Sequence, residues 1–307
     1  MAIRIRPLIS LSAVILAILV ATGGCGTKAG KVEVTPAADG ASTPAATAND
    51  AGPVLNTPNP AVTLNPKQHQ PFEDAAITDI RDDSGMLPPP DRTLAGLSTG
   101  KIHDQVVQLW PQIRFVNAAG KPISYVADVE IENYGTIELL MRPDLAPNHV
   151  RNFVALATLQ YYDGLRIDRL IRQQSDEDPN NKLTLLEAGS PTESAEPEIA
   201  HLGYWLKPEF TDAAKHEPGS VGACLHMSAD MMSLNPESAA CRFYITLTPA
   251  PAMDGNYAVF AKVSRGLELL QQLATKPTRT DPGPDFGKPT NPIVIRKITV
   301  RVVDVVE

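Results

Sequence analysis

The chain has 307 residues, 43% of them hydrophobic, and 35 acidic side chains against 27 basic ones give a net charge of −8. No run of lysines or arginines interleaves with aromatic residues, which excludes nucleic acid as a partner. Six scattered histidines, no His-Glu-x-x-His, no paired Cys-x-x-Cys and no phosphate-cradling glycine loop leave neither a metal nor another cofactor to expect.

Arg4 and Arg6 precede an apolar run from Leu11 to Val20, and the small residues Ala21-Thr22-Gly23-Gly24 then lead to Cys25. This is the layout of an export signal over residues 1–24, with an apolar run too short to span a bilayer. The tract Thr22–Cys25 resembles the lipobox of bacterial lipoproteins. That implies lipidation at Cys25 and attachment to a membrane of the cell envelope, inner or outer, with plain secretion as the alternative. Residues 25–100 are rich in Pro, Ala, Thr, Asn and Asp, and Phe72 is their only aromatic residue. Too little apolar surface is present to offset ordering entropy, so a disordered tether, stiffened at Pro88–Pro90, is expected.

Residues 101–124 turn apolar through Val106, Val107, Leu109, Trp110, Ile113 and Phe115, which predicts a helix and a strand packing on the main domain, with Trp110 as an anchor. The domain proper spans 125–307. It opens with a hairpin: Ala127, Val129 and Ile131 alternate with acids, and Ile137, Leu139 and Met141 resume the alternation after Asn133-Tyr134-Gly135. A helix follows, because Val150, Phe153, Val154 and Ala157 fall at i, i+3, i+4 and i+7 behind Pro147. Tyr161-Tyr162-Asp163-Gly164 ends that period, and Leu165–Ile171 reads as a strand that sets Arg169 among apolar neighbours. An arginine so placed needs either a carboxylate partner, Asp168 or another acid, or a ligand carbonyl at a cleft edge. Further strands are expected around Phe243–Leu247, Ala258–Val263 and Ile293–Val306. One more helix carries Leu267, Leu270 and Leu273, with Ser264 as its cap and Pro277 beyond its end. Many short strands with two helices predict a mainly β fold, a closed antiparallel β-barrel capped by two α-helices and preceded by the disordered tether. Cys224 and Cys241 are either a disulfide pair or buried thiols.

The words LAPNHVRNFVALA, YYDG, GYWLKPEF (Gly203–Phe210), RFYIT (Arg242–Thr246) and MDGNYAVFAKV (Met253–Val263) come in one order, and over residues 125–307 the chain resembles a divergent bacterial cyclophilin, the barrel-fold family of peptidyl-prolyl cis-trans isomerases. The resemblance implies an isomerase acting on Xaa-Pro bonds of exported or envelope proteins, working as a monomer without a cofactor. Arg169 matches the family's arginine of a Phe-His-Arg tract and is its implied catalytic donor. Glu187, Met227, Arg242, Tyr244, Met253 and Tyr257 are the implied substrate-binding residues, with Met227 taken from the tract Leu225-His226-Met227-Ser228. The family's pocket phenylalanine has no aromatic counterpart, and Thr184 takes its place. An acidic insertion, Gln173–Lys182, separates the arginine from Glu187-Ala188-Gly189-Ser190, and its Asp176-Glu177-Asp178 reads as a solvated loop. Loss of the phenylalanine and the glutamines leaves an alternative open, a catalytically weak peptide-binding or scaffold module at the cell envelope.

Overall fold

The computed structural model describes residues 77–79, 88–174, 182–193, 200–227, 234–281 and 285–304. The export signal, Cys25, most of the tether and residues 175–181 of the acidic insertion lie outside the described residues. In chain order, strand β1 (Ile77–Asp79) precedes helix α1 (Thr99–Leu109), strands β2 (Ile123–Ile131) and β3 (Gly135–Met141), and helix α2 (Pro147–Thr158). Next come β4 (Ile167–Gln174), β5 (Lys182–Ala188), β6 (Tyr204–Leu206) and β7 (Ser220–Ala223), then the two-residue strands β8 (His226–Met227) and β9 (Leu234–Asn235). Strand β10 (Phe243–Thr246), strand β11 (Val259–Arg265), helix α3 (Leu267–Leu273) and strand β12 (Ile295–Asp304) follow.

Eight strands make one antiparallel sheet in the order β12-β2-β3-β11-β7-β10-β5-β4. The first hairpin forms where the alternation places it, with Val129 opposite Ile137 and Ala127 opposite Leu139. Its turn is made by Asn133, at φ 64°, a left-handed conformation that asparagine tolerates better than most side chains. Continuous closure into a barrel is not seen, because the sheet order ends at β12 and β4. The two ends are joined instead by the bridge Arg166–Val294 and by backbone hydrogen bonds from Gly164 to Ile295, from Ile295 to Leu165 and from Ile167 to Ile293.

Helix α2 starts at a proline whose fixed φ suits the first turn. Its N-cap Ala146 offers no side-chain acceptor, and Glu209 supplies one from a distance, accepting the Asn148 and His149 amides at 3.0–3.1 Å. A carboxylate there also opposes the positive end of the helix dipole. The helix is buried on nearly all sides, and Phe153 meets Tyr162, Phe243 and Phe260 at centroid distances of 5.1–5.6 Å to form the aromatic centre of the core.

The residues read as tether contribute more than expected. Strand β1 pairs with β6, Thr93 and Leu97 are buried, and the Leu94 amide bonds to the Pro191 carbonyl at 2.6 Å. The folded body therefore includes described residues N-terminal to Lys101. In the 101–124 segment, Ile102, Val106 and Leu109 form the inward stripe of α1 and Trp110, Ile113 and Phe115 join the same core, but a turn of 3-10 helix stands after α1 where a strand was expected. Gln173–Gln174 and Lys182, read as part of an insertion, are the adjoining ends of β4 and β5. Ser264 does not cap α3. Its hydroxyl bonds to Glu138, and Gly266 at φ 86° takes the N-cap, where a Cβ would collide with Ile137. Cys224 and Cys241 are buried free thiols.

Candidate active site

Cross-strand register gathers the site. Arg169 on β4 lies opposite Glu187 on β5, Glu187 opposite Tyr244 on β10, Tyr244 opposite Gly222 on β7, and Gly222 opposite Val259 on β11. Residues paired in this way share a sheet face, so one row across five strands carries a cation, an acid, an aromatic ring and a glycine. The ladder shifts between Ile167 and Arg169, a local irregularity that adjusts where the arginine side chain emerges.

The polar end of the row is a chain of charges. Arg169 keeps one fifth of its side chain exposed, and its Nη1 is 3.9 Å from Glu187 Oε2. The same oxygen accepts a 2.7 Å hydrogen bond from Arg242 Nη2, and Arg242 Nε lies 3.6 Å from Asp168 Oδ2, within ion-pair range but longer than a hydrogen bond. Asp168 is almost fully enclosed and accepts the Ser190 amide at 3.0 Å. Burial pushes its pKa up to about 7, against the opposing pull of Arg242 and of that amide. Glu187 thus stands within ion-pair range of both arginines, while Asp168 lies within ion-pair range of Arg242 and also feels the charge of Arg169.

The other end is apolar. Tyr244, Met253, Tyr257, Ile171, Leu185, Cys224 and Ala250 form a cluster apart from the main core, rimmed by the partly buried Leu183, Leu225, Leu234 and Phe286. The Tyr244 and Tyr257 rings meet edge to face at 5.7 Å. Gly222 makes room for Tyr244, since a Cβ there would overlap its ring. A buried phenol needs a partner, and Tyr244 has His216, whose Nε2 is 2.7 Å from the hydroxyl. His216 Nδ1 stands 2.9 Å from Asp254 Oδ1. Burial holds the His216 pKa below its ordinary value, with Asp254 pulling the other way. A neutral imidazole facing a carboxylate at Nδ1 donates from that atom, so Nε2 accepts from the tyrosine. Burial also raises the Tyr244, Tyr257 and Cys224 pKa values, which keeps the cluster uncharged and its thiol unreactive. The site sets an uncharged apolar cluster with a partly exposed rim beside a hydrogen-bond donor, and its thiol is not activated.

Of the residues expected from the sequence, Arg169, Glu187, Arg242, Tyr244, Met253 and Tyr257 converge here. Met227 does not join the sheet. It lies in β8, opposite Leu234 of β9, and its side chain is outside the description. The strand beside β10 is β7, so the wall attributed to Leu225–Ser228 is formed by Ser220–Ala223, with Cys224 following into the cluster. Thr184 alternates with Leu183 and Leu185, both in the cluster, and so occupies the opposite face of β5. Cys25 lies outside the described residues. Gly222, His216, Asp254 and Phe286 were not singled out from the sequence. Pro218-Gly219 preceding Ser220–Ala223 was the available sign that a strand begins there.

Residues 126–300 match the family model described as cyclophilin type peptidyl-prolyl cis-trans isomerase/CLD. The chain is 32% identical over 171 residues to a peptidyl-prolyl cis-trans isomerase-like 2 of Cryptococcus neoformans, an alignment covering 55% of this chain and 26% of that protein. It is 26% identical over 158 residues to a peptidyl-prolyl cis-trans isomerase-like 1 of Neurospora crassa, covering 51% of this chain and 86% of the relative. The aligned region is thus about a quarter of the first relative and most of the second. Among solved structures, a cyclophilin type peptidyl-prolyl cis-trans isomerase of Cryptosporidium parvum is similar at TM-score 0.47 and 20% identity, over 58% of this chain and 98% of that one.

Proposed function

The chain belongs to the cyclophilin-type peptidyl-prolyl cis-trans isomerase family, and from that membership we propose that it accelerates rotation about Xaa-Pro peptide bonds. The observation that carries the reading is the position of Arg169, partly exposed at the edge of an uncharged apolar cluster and on the same β4 face as Ile171 of that cluster. Amide resonance sets a rotational barrier of ~18–20 kcal/mol, and the uncatalysed exchange takes roughly tens to hundreds of seconds. Twisting the bond uncouples the nitrogen lone pair from the carbonyl and makes the nitrogen a hydrogen-bond acceptor. The Arg169 guanidinium, always charged and only a donor, bonds to that nitrogen in the twisted state and has no equivalent acceptor in the planar one. The proline ring rests against Tyr244, Met253 and Tyr257, while Arg242 holds Glu187 and through it sets the local field at Arg169. No covalent bond changes and no proton is transferred.

The substrates proposed are proline-containing segments of exported or envelope proteins, met by a monomer tethered to a membrane through lipidated Cys25. The charge and apolar pattern of residues 1–25 supports that placement. A closed barrel completes the fold reading, supported by the bridge between the sheet's two edges.

One feature favours the second reading, a peptide-binding or scaffold module. Glu187 stands between two guanidiniums and partly neutralises the cation that a substrate would use. Exchange NMR on short Xaa-Pro peptides with the full chain separates the two. Faster cis-trans exchange supports the isomerase, whereas shifted peptide resonances without acceleration support the module.

A further inference from the structure

We propose that Phe286, on the loop between α3 and β12, is a substrate-contacting wall of the pocket and sets its affinity for the prolyl ring. The inference rests on the isomerase reading above. Phe286 is far in sequence from the other pocket residues, yet it packs on the same cluster as Tyr244, Met253 and Tyr257. It also remains partly exposed, which the buried members do not. A ligand approaching the cluster meets its partly exposed rim first, and Phe286 is the only aromatic member of that rim among the described residues.

The loop is built to hold that ring in place. The Leu170 amide, one residue beyond Arg169, donates to the Gly287 carbonyl at 2.8 Å. Arg279 and Gly287 share a backbone bond at 2.9 Å, Arg279 and Lys288 another, and Thr278 bridges to Pro289. Arg279 and Lys288 both form ion pairs with Asp285, the residue before the phenylalanine. From β4, Arg172 reaches across to the Ala274 and Lys276 carbonyls and to the Thr278 hydroxyl. Gly287 lies so close to the strand that a Cβ would come within 3.2 Å of Ile171 and 3.6 Å of the Arg169 Cβ, and its φ of 79° suits glycine. The aromatic ring is therefore fixed to the same strand as the arginine, on its site-facing side. Tyr244 from β10 and Tyr257 from the β11 approach share this cluster with the aliphatic Ile171, Leu183 and Leu185 of β4 and β5 and with this one ring.

The test is steady-state isomerisation of an Ala-Pro-containing peptide by the full chain carrying Phe286→Ala, Phe286→Leu or Phe286→Tyr. The alanine variant should raise KM about tenfold with kcat changed less than about threefold, the signature of lost ground-state contact. Leucine, which keeps an apolar anchor for the loop, should give an intermediate KM, and tyrosine should restore the wild-type value. Amide shifts of Leu170 and Gly287 report whether the loop stays seated, and the leucine variant decides the matter if alanine unseats it. A wild-type KM in the leucine variant with the loop in place overturns the assignment, as does a loss confined to kcat. If the wild-type chain binds the peptide without accelerating it, the isomerase reading fails and Kd replaces KM as the readout for Phe286. If it neither accelerates nor binds, both inferences fall.

Discussion

Replacing Arg242 by methionine tests whether the buried charge chain is what organises the site. The side chain is 4% exposed and faces Glu187 at 2.7 Å and Asp168 at 3.6 Å, with Asp168 itself 5% exposed. Removing the cation leaves an enclosed carboxylate that keeps the Ser190 amide and the field of Arg169 but loses its ion-pair partner Arg242, and breaking a buried pair in this way costs about 3–5 kcal/mol. For a folded body of this size, that is a fall in Tm of roughly 6–20 °C. The loss must depend on pH. Asp168 has a pKa already near 7 with the arginine present, and without it the carboxyl takes up a proton more readily still. Arg242→Met should therefore cost most near pH 8 and distinctly less near pH 5, where a neutral carboxyl has no charge to strand. Adding Asp168→Asn should recover part of the pH 8 loss, because the enclosed carboxylate then goes with the cation while the more exposed Glu187 keeps Arg169. Urea titrations of the full chain, followed by fluorescence of the buried Trp110 and Trp205, measure these differences. A loss below about 1 kcal/mol at pH 8, or an equal loss in the Asp168→Asn background, would refute the argument.

Three further outcomes follow from the same geometry. In the parent protein the folded pKa of Asp168 lies above its ordinary value, so the native state holds a proton that the unfolded chain releases. That contribution to stability is complete below about pH 4 and is lost as pH rises to about 7, and Asp168→Asn should remove this component of the urea midpoint's pH dependence. Tyr244→Phe strands the buried His216 Nε2 without its donor and should destabilise by about 1–3 kcal/mol, while isomerisation changes little because the ring remains; a large loss of kcat would show the hydroxyl to be chemically engaged. Gly222→Ala drives a methyl into that ring, and a cost of about 1–3 kcal/mol is expected with a matching drop in kcat/KM; unchanged near-UV circular dichroism and activity would contradict the packing described.

Local periodicity made the first hairpin, α2 and the strand bearing Arg169 legible, because each buries one face of a pattern readable within a dozen residues. The pairing of Arg242 with Glu187 was not readable in that way, since it depends on register between β5 and β10, strands 55 residues apart at that point. The strand beside β10 was assigned to Leu225–Ser228 for a related reason. Ser220-Val221-Gly222-Ala223 has no large apolar residue beyond one valine and looks too weak for a strand, yet burial of Tyr244 requires small residues there. Residues 88–100 read as tether because composition averages hide two well-placed anchors, Thr93 and Leu97, that close a turn against the body. Phe286 escaped notice because its contacts are made by a loop, where sequence spacing carries no face.

Prolyl cis-trans exchange catalysed by the full chain carrying Arg169→Ala, with Arg169→Lys alongside, tests the central claim most directly. Because the guanidinium's directed donor acts in the twisted state, alanine should lower kcat/KM by about 10²–10³, and lysine, a point charge without the planar fork, should recover only part of it. Unchanged Tm values would confine the effect to catalysis. Wild-type exchange rates in a folded Arg169→Ala protein would contradict the account.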